Sequence, residues 1–190
     1  MRRLLPLFTL MCLGQGAALA GGGVDVREPD GTTPLMWAVR SDDMTRVRSL
    51  LRDGARVDEA NVNGVTALQL ACQNGNAATI KLLLDAGADR EKRDGAGETP
   101  LMTAVRSGEI AATRLLLQKG ADVNAREPEY QQTALMLAAR GEEPRLVALL
   151  LQAGAQVDAR TRVGPEPKFR LPAENSGSKG KGITRGGWPE

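Results

Sequence analysis

An all-α solenoid of four helix-turn-helix repeats joined by β-hairpin-like fingers is the fold class this sequence predicts, and three periodic blocks predict it. The first is Thr33-Pro34-Leu35-Met36-Trp37-Ala38, which returns at Thr66–Ala71, Thr99–Ala104 and Thr133–Ala138, with threonines 33, 33 and 34 residues apart. The second, a Gly-Ala pair, keeps the same step at Gly54-Ala55, Gly87-Ala88, Gly120-Ala121 and Gly154-Ala155. The third is an apolar run at Ser49-Leu50-Leu51, Leu82-Leu83-Leu84, Leu115-Leu116-Leu117 and Leu149-Leu150-Leu151. A fixed period of this length means stacked units, each of which buries its apolar face only against its neighbours.

The first twenty residues are a separate element. Arg2-Arg3, the apolar stretch Leu4–Leu13 and the small residues Ala18-Leu19-Ala20 before Gly21 make a secretory signal pattern, too short for a spanning helix. An uncleaved anchor is the alternative. Cys12 does not fit a lipoprotein site, because Thr9-Leu10-Met11 lacks the small residue expected upstream. Cleavage after Ala20 leaves a periplasmic or secreted chain with no membrane insertion. It removes two arginines, so the remainder carries 23 basic and 23 acidic residues. That balance gives no reason to expect nucleic acid as a partner.

The repeat domain is expected over residues 21–163, and the third unit shows its logic. Thr99 caps a helix that starts at Pro100, where a missing N–H costs nothing, and runs to about Arg106. A second helix spans roughly residues 110–119, with Ile110, Thr113, Leu116 and Leu117 at helical spacing. Gly120 supplies the left-handed residue that ends it. Helices of about ten residues do not persist alone, so stacking must hold them. Aromatic residues make up only 3 %, and alanine and leucine fill the layers. The last segment, 164–190, is rich in Gly, Pro, Lys and Ser, with five basic and three acidic residues, and its composition predicts disorder. In one reading Phe169 and Leu171 fold back over repeat four; in the other they are incidental to a linker.

On these blocks the chain resembles the ankyrin-repeat family over roughly residues 24–163. The resemblance implies a non-catalytic scaffold that binds another protein on its concave face and finger tips, with no cofactor. It also implies three roles: an exported adaptor, an inhibitor or immunity protein of a secreted or periplasmic enzyme, or an accessory protein supporting an exported enzyme such as one of oxidative defence. In the family the fourth residue of the block is often a histidine that ties neighbouring fingers. Here it is Met36, Gln69, Met102 or Met136, so that tie is expected to be lost or replaced by packing.

The chemistry-bearing residues agree with a scaffold. There is no histidine, which removes the commonest general base and metal ligand. Gly180-Lys181-Gly182 lacks the remaining parts of a phosphate loop. Asp42-Asp43 and Glu142-Glu143 are expected at turns before the second helices, where acids favour the helix start. No catalytic or metal-binding residue is assigned. Cys72 makes no internal disulfide after cleavage and stands where other repeats have Val39, Val105 and Ala139, so a small buried hydrophobe is expected.

What remains is a surface, placed by the family register. Arg40-Ser41, Gln73-Asn74, Arg106-Ser107 and Arg140-Gly141 fall on the concave side, and stacking arranges the arginines as an interrupted basic stripe. Such a stripe either forks onto partner carboxylates or merely solubilises the face. Finger-tip candidates are Asp30, Val62, Val65 and Glu98, beside Pro29, Thr32, Asn63, Gly95 and Ala96; Val62 and Val65 flank a loop and either stand exposed or pack against the adjacent finger. Repeat four has one extra residue within 126–132 and no finger glycine, which predicts a distorted finger with Tyr130 near its tip. A monomer is expected.

Overall fold

The computed structural model describes residues 24–161. The leader expected at 1–20 and the segment expected from 164 to 190 lie outside the described residues. Among the described residues eight helices follow in pairs: α1 (Pro34–Arg40) with α2 (Met44–Arg52), α3 (Ala67–Gln73) with α4 (Ala77–Asp85), α5 (Pro100–Arg106) with α6 (Ile110–Gln118), and α7 (Ala134–Arg140) with α8 (Pro144–Gln152). Between pairs the fingers are built of turns. Among the described residues their only sheet-like pairing is an isolated bridge from Ala60 to Thr66.

Each inner helix begins the way its sequence block demands. The hydroxyls of Thr33, Thr66, Thr99 and Thr133 accept from the amides of Met36, Gln69, Met102 and Met136, and such a cap contributes about 1 kcal/mol. Every outer helix is followed by a left-handed glycine, Gly54, Gly87, Gly120 or Gly154, at φ between 82° and 91°. The inner-to-outer turn needs a left-handed residue as well. Repeats two and three use Gly75 and Gly108, whereas repeats one and four force Asp42 and Glu142 to φ 55°.

Polar side chains at the outer-helix starts act unequally. Asp43 and Asn76 accept from the amides of Arg46 and Thr79, whereas Glu109 and Glu143 make no side-chain cap bond.

The core is the shared surface between successive pairs. Leu35, Leu68 and Leu101 of the inner helices and Ile80, Leu83, Leu116 and Leu150 of the outer ones are fully buried. Cys72 sits in this layer as expected; burial pushes its thiol up to about 12, so the reactive thiolate is essentially absent at neutral pH.

Polar groups tie one unit to the next with the same period. Asp25, Asp58, Glu91 and Asn124 each accept a backbone N–H of the following repeat, from Arg56, Asp89, Asp122 and Gln156, at 2.8–3.1 Å. The fingers join through Val62 N–H to the Asp30 carbonyl at 2.9 Å and Gly95 N–H to the Asn63 carbonyl at 2.7 Å. The next residue in that series is Pro128, which has no N–H, and the finger ladder stops there.

One expectation is corrected here. The tie attributed to the family's histidine is not lost in repeat two, because Gln69 makes it. Its buried amide accepts from Thr66 N–H at 3.0 Å and donates to the carbonyls of Glu98 at 3.1 Å and Lys92 at 3.4 Å. Met36 and Met102 fill the same position by packing, both fully buried, while Met136 is half-buried.

Candidate partner-binding surface

The inner helices lie closer to one another than the outer helices do, so the stack curves with α1, α3, α5 and α7 on its concave side. The fingers project from the same side. Two contacts fix this face: Trp37 on α1 donates its indole N–H to Glu28 of its own finger at 2.9 Å, and Arg106 at the end of α5 pairs with Glu98 of finger three.

The predicted residues divide on this face. Arg40, Ser41, Gln73, Asn74, Arg106, Ser107 and Arg140 are all exposed at the ends of the inner helices. The basic stripe, however, is already partly engaged. Arg40 stacks over the Trp37 ring, 5.6 Å from its centroid, and Arg106 is neutralised by Glu98. Arg106 and Arg140 line one shallow cleft of about 230 Å³ between α5 and α7, with Glu143 on its wall. Asn74 is less available than its exposure suggests, since its side-chain amide donates to the Val39 carbonyl at 3.2 Å and helps join repeats one and two.

At the fingers, two expectations of exposure fail. Glu98 is only 7 % exposed and Thr32 is buried, because both immediately precede a helix cap and are drawn into the base of the finger. Val65 occupies the equivalent place and is half-buried. Val62 is exposed, at 73 %. Asp30 is exposed, but its carboxylate accepts from the Thr32 amide at 2.9 Å and hydroxyl at 2.8 Å. These two bonds, with the Arg40 charge nearby, hold it below the usual carboxylate range.

Finger four is reshaped as expected. Gln131 takes the left-handed conformation, φ 58°, that Gly31, Gly64 and Gly97 take in the other fingers. The buried carboxylate of Glu127 accepts from the amides of Tyr130 at 2.6 Å, Glu129 at 2.7 Å and Gln132 at 3.0 Å. Burial pushes its carboxyl up, but these amides and the Arg93 charge outweigh that and leave it below the ordinary glutamate value. Tyr130 is held at the loop's apex, 48 % exposed. Its hydroxyl titrates above the usual range because Glu129 accepts from it and sits close in charge.

Trp37 is a candidate contact residue that the sequence reading missed. It lies inside the repeat block and so reads as core, and the equivalent Leu137 is indeed buried, with Leu70 and Thr103 half-buried. Trp37 instead stands 44 % exposed, fixed between the Glu28 carboxylate and the Arg40 guanidinium. The signal available was size: no other repeat places an aromatic there.

The family described as ankyrin repeats (3 copies) matches residues 11–94 and 79–161. The chain belongs to the ankyrin-repeat family. Ankyrin repeats are protein–protein interaction modules, scaffolds in which a stacked concave surface does the binding. A search of curated proteins finds no match to the chain. Among the described residues of this ankyrin-repeat chain, no helix is long and apolar enough to cross a membrane. No cluster of three or more Cys, Asp or Glu side chains among them is placed to hold a metal ion.

Proposed function

We propose that this ankyrin-repeat protein is a monomeric, non-catalytic binder of one partner protein, working through its concave face with Trp37 as the anchor. The observation that carries this is the held indole. A half-exposed tryptophan pinned by a hydrogen bond and a stacked arginine loses little freedom on binding, and Trp, Tyr and Arg dominate interface energetics. Val62 extends the apolar contact along finger two, and Tyr130 provides a second aromatic contact at finger four. Arg140, lining the cleft beside Arg106, is the cation placed to meet a partner carboxylate.

The leader pattern supports work outside the cytoplasm, periplasmic or secreted, after cleavage at Ala20. Adaptor, enzyme inhibitor and enzyme helper share this surface, and the captured partner's activity separates them: loss marks an inhibitor, gain a helper. The test is affinity capture from the source's own exported fraction with the wild type and Trp37→Ala side by side. One stoichiometric partner whose affinity falls at least about tenfold in the variant supports the proposal. A partner retained equally by Trp37→Ala and by Arg40→Glu/Arg140→Glu places binding elsewhere and refutes it.

A further inference from the structure

The two ends of the stack are finished differently. Repeat one is charged or polar where the others carry small or apolar side chains: Arg46 takes the position of Thr79, Ala112 and Leu146, and Ser49 that of Leu82, Leu115 and Leu149. Arg46 is exposed, whereas its three counterparts are buried. The N-terminal end therefore meets water with polar side chains at these two positions, around a Leu50 that is half-buried where Leu83, Leu116 and Leu150 are fully buried.

The C-terminal end has no such provision. Val39, Cys72 and Val105 are buried by the next repeat, but Ala139 is exposed. Val47, Ile80 and Thr113 are buried, but Val147 is half-open, and Leu135 and Met136 lose their cover in the same way. Leu151 is 42 % and Val157 77 % exposed. A terminal repeat facing water would be expected to be polar at such positions.

The chain itself is delivered to this face. Arg93 donates to the Arg126 carbonyl at 2.8 Å, and Arg126 donates to the Arg160 carbonyl at 3.4 Å, so the finger register persists to Arg160. Asp158 holds the place of Asp25, Asp58, Glu91 and Asn124, each of which accepts an N–H from the following unit. Twenty-nine residues follow Thr161.

We propose that this C-terminal segment docks on the open face of repeat four, with Phe169 and Leu171 covering Leu135, Val147 and Leu151. Eight residues separate Thr161 from Phe169, a reach of about 26 Å when extended, enough to cross a helix pair roughly 20 Å wide. Charge favours the contact. Residues 24–161 carry 17 basic and 20 acidic side chains, and residues 162–190 six basic and three acidic, with Lys168 and Arg170 flanking Phe169.

The test is disulfide trapping in the full chain carrying Cys12→Ser, with the buried Cys72 left silent. Arg170→Cys is paired with Leu151→Cys on the open face, or with Gln152→Cys on the same helix but turned away from it. An undocked tether reaches both positions at similar effective concentration, whereas a docked one favours the first by about tenfold or more. Adding Phe169→Ser/Leu171→Ser is expected to abolish that preference. Equal rates for the two pairs, or a preference that survives the serine substitutions, overturns the proposal. A disulfide that forms between chains, read by mass, assigns the face to a second copy and overturns it too.

Discussion

Replacing Gln69 with methionine, the residue that the other three repeats carry at this position, isolates the inter-repeat tie from the volume that fills the site. Methionine keeps an unbranched chain of similar length, and Met36 and Met102 show that the stack accepts it fully buried. What disappears is the amide. Thr66 N–H loses its acceptor at 3.0 Å, the Glu98 carbonyl loses a donor at 3.1 Å and the Lys92 carbonyl a longer one at 3.4 Å. The Glu98 carbonyl keeps the Asp94 amide at 3.1 Å, so it is not orphaned. Two good bonds at about 1 kcal/mol each and a weak third give a loss of roughly 2–2.5 kcal/mol. Burying a thioether in place of an amide returns up to about 1 kcal/mol. The expected net destabilisation is therefore about 1–2 kcal/mol, or a melting temperature lower by about 3–8 °C for a domain of this size. Urea unfolding followed by far-UV circular dichroism, with an unchanged m-value, measures it. Gln69→His, which restores a donor and an acceptor, should recover most of the loss. A methionine variant as stable as the wild type would refute the reasoning, and would mean that packing alone holds repeats two and three together.

Three further outcomes follow from local geometry. Glu142 stands at φ 55° where repeats two and three use glycine, so Glu142→Gly should raise stability by about 0.5–1 kcal/mol in the same urea assay. A Cβ on Gly95 would lie 2.7 Å from the Asn63 carbonyl oxygen that its own amide binds, so Gly95→Ala should push fingers two and three apart. A loss of about 1–3 kcal/mol is expected, with faster hydrogen exchange at the amide of position 95, which spans fingers two and three. Glu127 has a folded pKa below its unfolded value of about 4.3. Its stabilisation is therefore present above that unfolded value and is lost as pH falls through the folded one. Glu127→Gln should be the less stable protein at pH 7, and melts at successively lower pH should show the gap to wild type closing as pH falls below the unfolded value and through the lowered folded one.

Binding-face legibility differed from residue to residue for physical reasons. Arg40, Arg106 and Arg140 stand exposed at the inner-helix ends where register puts them, because position in a stacked repeat fixes which way a side chain points. Their engagement was not legible, since the Trp37 stack and the Glu98 pair depend on how a finger folds back over its helix. Glu98 and Thr32 were misjudged for the same reason: a polar residue in a turn reads as exposed until the turn is seen to close on it. The acceptors Asp58, Glu91 and Asn124 left a periodic trace three residues after Ala55, Ala88 and Ala121, and Asp25 keeps the same step of 33, but only the stack shows that each meets a neighbour's amide.

By itself the sequence determined the repeat number, the helix starts and stops, and the apolar positions that stack. These depend on short-range chemistry: a threonine cap, a proline at the first turn, a left-handed glycine, and leucines at helical spacing. Only the tertiary structure decided which polar groups are spent holding repeats together and which remain for a partner. Those choices are made between residues about 33 positions apart, where a hydrogen bond or a stacked ring depends on the approach of two units rather than on either one alone.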